Sequence, residues 1–99
     1  MPTRKARQSA VRRRFWIEGR VQMVGFRAFA TLHARRLSLR GWIRNTESGA
    51  VEVLAEGPPD SMDEFARLLR RGPAAAAVIG FSCSEEGADA DLGDFSAAG

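Results

Sequence analysis

Disulfide cross-links within the chain are excluded at once, because the 99 residues include a single cysteine, Cys83. Stability is therefore expected from packing alone, as in a reducing compartment such as the cytoplasm. Cys83 reads as a small apolar strand residue with no neighbouring base to activate it. No apolar run approaches the roughly 20 residues that a membrane-crossing helix requires, so no such helix is expected. No apolar h-region of a secretory signal is present either, and there is no internal repeat. Histidine is almost missing: the one copy, His33, falls in the middle of an expected helix and reads as a half-exposed helical residue. What remains is ordinary for one globular domain. The hydrophobic fraction is 44%, close to that of globular proteins in general.

The net charge of +3 is laid out unevenly. Arg4, Lys5, Arg7, Arg12, Arg13 and Arg14 supply six of the 15 basic residues, and from Phe15 onward nine basic residues face 12 acidic ones. The sequence thus predicts a basic N-terminal arm over residues 1–13 and a mildly acidic domain over residues 14–97. The arm reads as a disordered, solubilising tail. The sharper alternatives are a hook for nucleic acid or anionic membrane, or a targeting segment.

Along the domain the hydrophobic period changes repeatedly. Arg14–Gly19 is rich in bulky and β-branched residues and predicts a strand that glycine stops. Phe26–Leu39 carries apolar residues at spacings of three and four and predicts a helix, with Gly41 marking its end or the start of the next strand. Gly41–Asn45 and Val51–Gly57 predict a hairpin around Thr46–Gly49, with Val51, Val53 and Ala55 on one face. A second helix is expected from Pro58–Ser61, capped by Asp60 or Ser61, with Met62, Phe65, Leu68 and Leu69 as its stripe and Gly72-Pro73 as its stop. Val78–Cys83 is the fourth strand, and Asp94–Ser96 a short edge strand. The order β-α-β-β-α-β, with that short fifth strand, predicts an α+β ferredoxin-like sandwich: an antiparallel sheet with two helices on one face. Many functions use this architecture, so function must come from a site.

The stretch Gly19-Arg20-Val21-Gln22-Met23-Val24-Gly25-Phe26-Arg27 runs from a strand into a helix N-terminus. Amides there lack helical partners and the dipole is positive, so a loop curling over them can form an anion nest. Arg27, in the first turn, adds a planar guanidinium suited to phosphate. The plain alternative is an ordinary strand–helix loop with a solvent-facing arginine.

This segment, followed by Phe29, resembles the acylphosphatase signature. A second block follows in order: Gly41-Trp42-Ile43-Arg44-Asn45, then Gly49 and Val51-Glu52-Val53, with Glu56-Gly57-Pro58 and Gly72-Pro73 further on. The likeness covers about residues 14–83. It implies hydrolysis of acyl phosphates to a carboxylate and inorganic phosphate by a monomer without metal or cofactor. It also implies that phosphate is held by Val21, Gln22, Met23, Val24, Gly25, Phe26 and Arg27, chiefly through backbone N–H groups and the Arg27 guanidinium. Asn45 would orient the attacking water. No nucleic-acid or membrane partner is expected of the domain, since the sheet shows no RNA-binding aromatic signature. The competing reading is a weak or inactive acylphosphatase-like binding domain whose basic arm touches nucleic acid.

The chain departs from the family pattern at three places. Met23 stands where glycine is usual, which predicts left-handed strain, crowding of the phosphate loop and weaker phosphate affinity. Ser48 stands where an acidic residue is common, with little consequence expected. The C-terminal Phe95–Gly99 lacks the family's aromatic-aliphatic-basic strand and is expected to be short or frayed. Trp16 and Trp42 read as sheet residues, with Trp42 a candidate to border the site.

Overall fold

In the computed structural model, which describes residues 10–87 and 91–98, the chain runs β1 (Val11–Arg20), α1 (Phe26–Arg36), β2 (Arg40–Asn45), β3 (Val51–Gly57), α2 (Pro59–Arg71), β4 (Ala77–Glu86) and β5 (Ser96–Ala97). Strand alternation sets one face of the sheet against the helices. From that face Phe15, Ile17, Ile43, Val51, Val53 and Ala55 are fully buried. They meet Phe26, Ala30 and Ala34 of α1 and Met62, Phe65 and Leu69 of α2, whose spacings of three and four keep each set on one side of its helix. Phe15 and Phe65 pack edge to face at 6.2 Å. Both helices thus cover one face of the sheet, as expected.

The sheet order is β4-β1-β3-β2-β5. Both β1 and β2 pair antiparallel to β3, placing Ile17 and Asn45 on either side of Val51. The two strands therefore finish at the same edge, and this register brings the loop after β1 beside Asn45. The β1–β4 pairing shifts register between Glu18 and Gly19 and continues through Gly19–Val78 and Arg20–Ala77. Gly19 has a φ of 127°, and a Cβ there would lie 2.2 Å from the Ala77 carbonyl oxygen. Only glycine permits so close a strand approach in that backbone conformation.

The opposite face of the sheet is charged and internally paired. Arg12 donates to Glu56 through Nε at 3.0 Å and Nη2 at 2.7 Å. Arg14 bridges Glu52 and Glu86, and Arg44 Nε donates to Glu52 Oε1 at 2.8 Å. Arg12 and Glu52 are only 8% and 6% exposed. Such burial of charge is tolerated because each group has an opposite partner. Hydrogen bonding from Arg14 holds the Glu86 carboxyl below the ordinary glutamate range.

Several boundaries differ from the sequence expectation. Residues 11–13, expected in the basic arm, belong to β1, because Arg12 and Arg13 find carboxylates across the fold; Arg13 Nη1 donates to Asp63 Oδ1 at 2.9 Å. Residues 1–9 of that arm lie outside the described residues. Helix α1 stops at Arg36, before Leu39: Ser38 takes a φ of 60° and Leu39 N–H returns to the Ala34 carbonyl at 2.8 Å. Gly41 accordingly lies within β2. Neither Asp60 nor Ser61 caps α2, which starts at Pro59 after an extended Pro58. Proline suits the first helical position because the N–H it lacks has no helical partner there. Strand β4 reaches Glu86, past Cys83, since Ser84, Glu85 and Glu86 continue the ladder with Arg14, Arg13 and Arg12. Cys83 is exposed on that strand, and partial desolvation pushes its thiol pKa up.

The C-terminal segment is the largest departure. Strand β5 pairs parallel to β2, Ser96 with Trp42 and Ala97 with Ile43, so the sheet is mixed rather than wholly antiparallel. Phe95, expected in a fading edge, is fully buried and packs its ring against Phe65 at 5.8 Å. The burial of one aromatic ring anchors the segment there.

Candidate active site

The loop from Val21 to Gly25 is held at both ends by apolar side chains, Val21 (1% exposed) and Phe26 (2% exposed). Gly25 precedes α1 with φ 83° and ψ 15°, a left-handed turn that folds the loop over the helix end. The first helical hydrogen bond runs from Phe29 N–H to the Gly25 carbonyl at 3.0 Å. Amides ahead of Phe29 precede the first i→i−4 bond of the helix, the position where helix N-termini offer donors to other groups. No side chain caps α1, and its first turn has no acidic residue, whereas α2 has Asp60 there. An anion at the start of α1 would meet both the amides and the positive end of the dipole.

A cavity of about 200 Å³ lies at this junction, lined by Val21, Met23, Gly25, Phe26, Arg27, Ala28 and Asn45. The structure thus brings together the two principal residues singled out from sequence, Arg27 of α1 and Asn45 of β2. Asn45 shares the helix-facing side of β2 with Ile43, while Trp42 alternates to the other face. Trp42 therefore does not border the cavity; its ring lies 5.8 Å from the Arg14 guanidinium carbon. His33 is also elsewhere, with its ring 4.7 Å from that of Phe29 and its Nδ1 3.2 Å from Arg36 Nη2.

Gln22 has a role that sequence reasoning missed. Its side-chain amide donates to the carbonyls of Thr46 at 2.8 Å and Ala50 at 2.9 Å. It thereby ties the loop to the hairpin turn that follows Asn45, fixing the two halves of the cavity relative to one another. The signature flagged Gln22 without indicating that its side chain would point to the hairpin. Gln22→Ala removes both bonds and leaves the carbonyls with fewer donors. Stability is expected to fall by about 1–2 kcal/mol, or roughly 5–10 °C in Tm for a domain of this size. An unchanged thermal melt would show that the clamp holds nothing.

Met23 does adopt the left-handed conformation, with φ 61°. Met23 lines the cavity yet is 98% exposed, so it stands at the solvent side rather than packed into the interior. Met23→Gly is expected to act on folding more than on phosphate affinity. Relief of roughly 1–2 kcal/mol of left-handed strain is partly offset by the freer unfolded chain. A rise of a few degrees in Tm is expected; a fall in Tm would show that this backbone is unstrained.

An α+β sandwich with a small cavity at a strand–helix junction, lined by loop residues, Arg27 and Asn45, defines the class of fold to which the chain belongs. Within that class the chain belongs to the acylphosphatase family, whose profile it matches over residues 13–97. It is 49% identical to an acylphosphatase of Alkalilimnicola ehrlichii over 75 residues, covering 76% of this chain and 84% of that protein. It is similar to the crystal structure of acylphosphatase from Bacillus subtilis, with a TM-score of 0.85 and 34% identity over 89% of this chain and 98% of the other. An acylphosphatase structure from Coxiella burnetii gives 0.86 and 31%, over 99% and 100%.

Proposed function

We propose that the cavity between α1 and β2 is the active site of an acylphosphatase in which Arg27 clamps the phosphate and Asn45 orients the water. The family's reaction is hydrolysis of an acyl phosphate to a carboxylate and inorganic phosphate. The amides between Val21 and Arg27 and the Arg27 guanidinium meet the negative charge on the non-bridging oxygens. The Asn45 side-chain amide holds a water opposite the bridging oxygen. The water oxygen forms a new bond to phosphorus as the bridging P–O bond breaks. The carboxylate departs with that electron pair, and the water proton passes to a phosphate oxygen. Because a carboxylate is a good leaving group, positioning and charge stabilisation can carry the step without an enzyme base, metal or cofactor.

The observation that carries this reading is that Arg27 and Asn45, from separate elements, line the same cavity at the uncapped start of α1. The proposal extends to a monomer in the cytoplasm, in keeping with a single cysteine. The test is hydrolysis of acetyl phosphate in the presence of a chelator. Turnover unaffected by the chelator and competitively inhibited by inorganic phosphate is expected. No turnover by the folded protein would overturn the reading.

A further inference from the structure

A second depression adjoins the candidate active site. It measures about 630 Å³ and is lined by Arg27, Ala28, Thr31, Leu32, Arg35 and Ala97. Five of these residues form one stripe along α1, at spacings of three and four, spanning about 12 Å from Arg27 to Arg35 at the helical rise of 1.5 Å per residue. The facing wall is the C-terminal segment. Two hydrogen bonds set that wall in place: Arg35 Nε donates to the Phe95 carbonyl at 3.0 Å, and Ala98 N–H donates to the Ile43 carbonyl at 2.8 Å. Leu32 is 65% exposed, one of only three large hydrophobic side chains so exposed among the described residues.

Arg27 and Ala28 line both depressions, so the two are neighbours across a shared wall. The cavity, at about 200 Å³, has room for a phosphate and a small acyl group such as acetyl. A longer acyl chain must extend beyond that cavity, and the adjoining surface offers it the apolar side chains of Ala28, Leu32 and Ala97 between Arg27 and Arg35. We infer that this groove is the acyl subsite, and that the enzyme prefers acyl phosphates whose acyl group is an apolar chain long enough to cover Ala28 and Leu32. The inference rests on the active-site reading above. Leu32 is then a specificity-determining residue, and Arg35 a positioning residue that holds the wall formed around Ala97.

The test is a series of straight-chain substrates: acetyl, butanoyl and hexanoyl phosphate. Their leaving carboxylates differ little in chemistry, so differences report on acyl binding. A fully buried methylene is worth roughly a fourfold gain, and an open groove covers about half of each. kcat/KM is therefore expected to rise at least about tenfold from acetyl to hexanoyl phosphate. In Leu32→Glu the rise should shrink below about threefold, and Leu32→Met should retain it. The exposure of Leu32 means that both variants should fold, which a thermal melt checks. A flat wild-type series, or a Leu32→Glu variant that keeps the full gain, overturns the acyl subsite while leaving the active site intact. If the wild type hydrolyses no member of the series, the active-site reading falls as well.

Discussion

Arg27→Ala is expected to lower kcat/KM for acetyl phosphate by about 10³-fold or more, equivalent to about 4 kcal/mol of transition-state stabilisation. Arg27 sits in the first turn of α1, at the mouth of the cavity that Asn45 also lines. A guanidinium there offers two parallel donors to two phosphate oxygens, and the surrounding amides cannot replace its full charge. Arg27→Lys should restore only a small part of the loss, because an ammonium lacks the planar fork. Inorganic phosphate should also inhibit the alanine variant much less strongly. The measurement pairs steady-state kinetics with a thermal melt. A folded Arg27→Ala enzyme retaining more than about a tenth of wild-type kcat/KM would remove Arg27 from the mechanism.

The second large effect concerns Asn45 and is expected to have a different signature. Asn45→Ala should reduce kcat by roughly 10²- to 10³-fold, while the inhibition constant of inorganic phosphate moves less than about threefold. The split follows from position. Asn45 reaches the cavity from the end of β2, whereas the amides and Arg27 come from the loop and α1. A residue that only aligns water leaves ground-state binding of the phosphate largely untouched. The backbone of Asn45 pairs with Val51 in the ladder, so alanine preserves the strand. Equal losses in kcat and phosphate inhibition would make Asn45 a phosphate ligand instead. No loss in either would show that water is aligned by another group.

Taken together, the two variants also separate the active enzyme from a fold that merely binds. Severe loss in both, with distinct kinetic signatures, needs a working cavity assembled from α1 and β2. Gln22 and its two hairpin hydrogen bonds supply the mechanical link between those elements.

The order of elements, the hydrophobic faces of the strands and the choice of Arg27 and Asn45 as candidates, which the fold brings to one cavity, were legible in the sequence. Local periodicity and two spaced blocks carry that information, and neither depends on distant contacts. Other features were settled by long-range partners that local pattern does not record. Arg12 and Arg13 look like tail residues until Glu56 and Asp63 are brought beside them. Phe95 looks like the end of a fading strand until Phe65 offers it a buried face. Trp42 looked adjacent to the site because it is close in sequence to Asn45. Strand alternation on a folded sheet puts it on the far side.

By itself, then, the sequence determined which residues could handle an anion and which segments become helix or strand, since spacing and residue type act locally. Only the tertiary structure decided that β1 and β2 end at one edge, that Gln22 clamps the loop to the hairpin, and that the C-terminal segment walls a groove next to Arg27. Those outcomes depend on register and on burial between residues far apart in the chain. Their free energies exist only once the sheet has closed around its core.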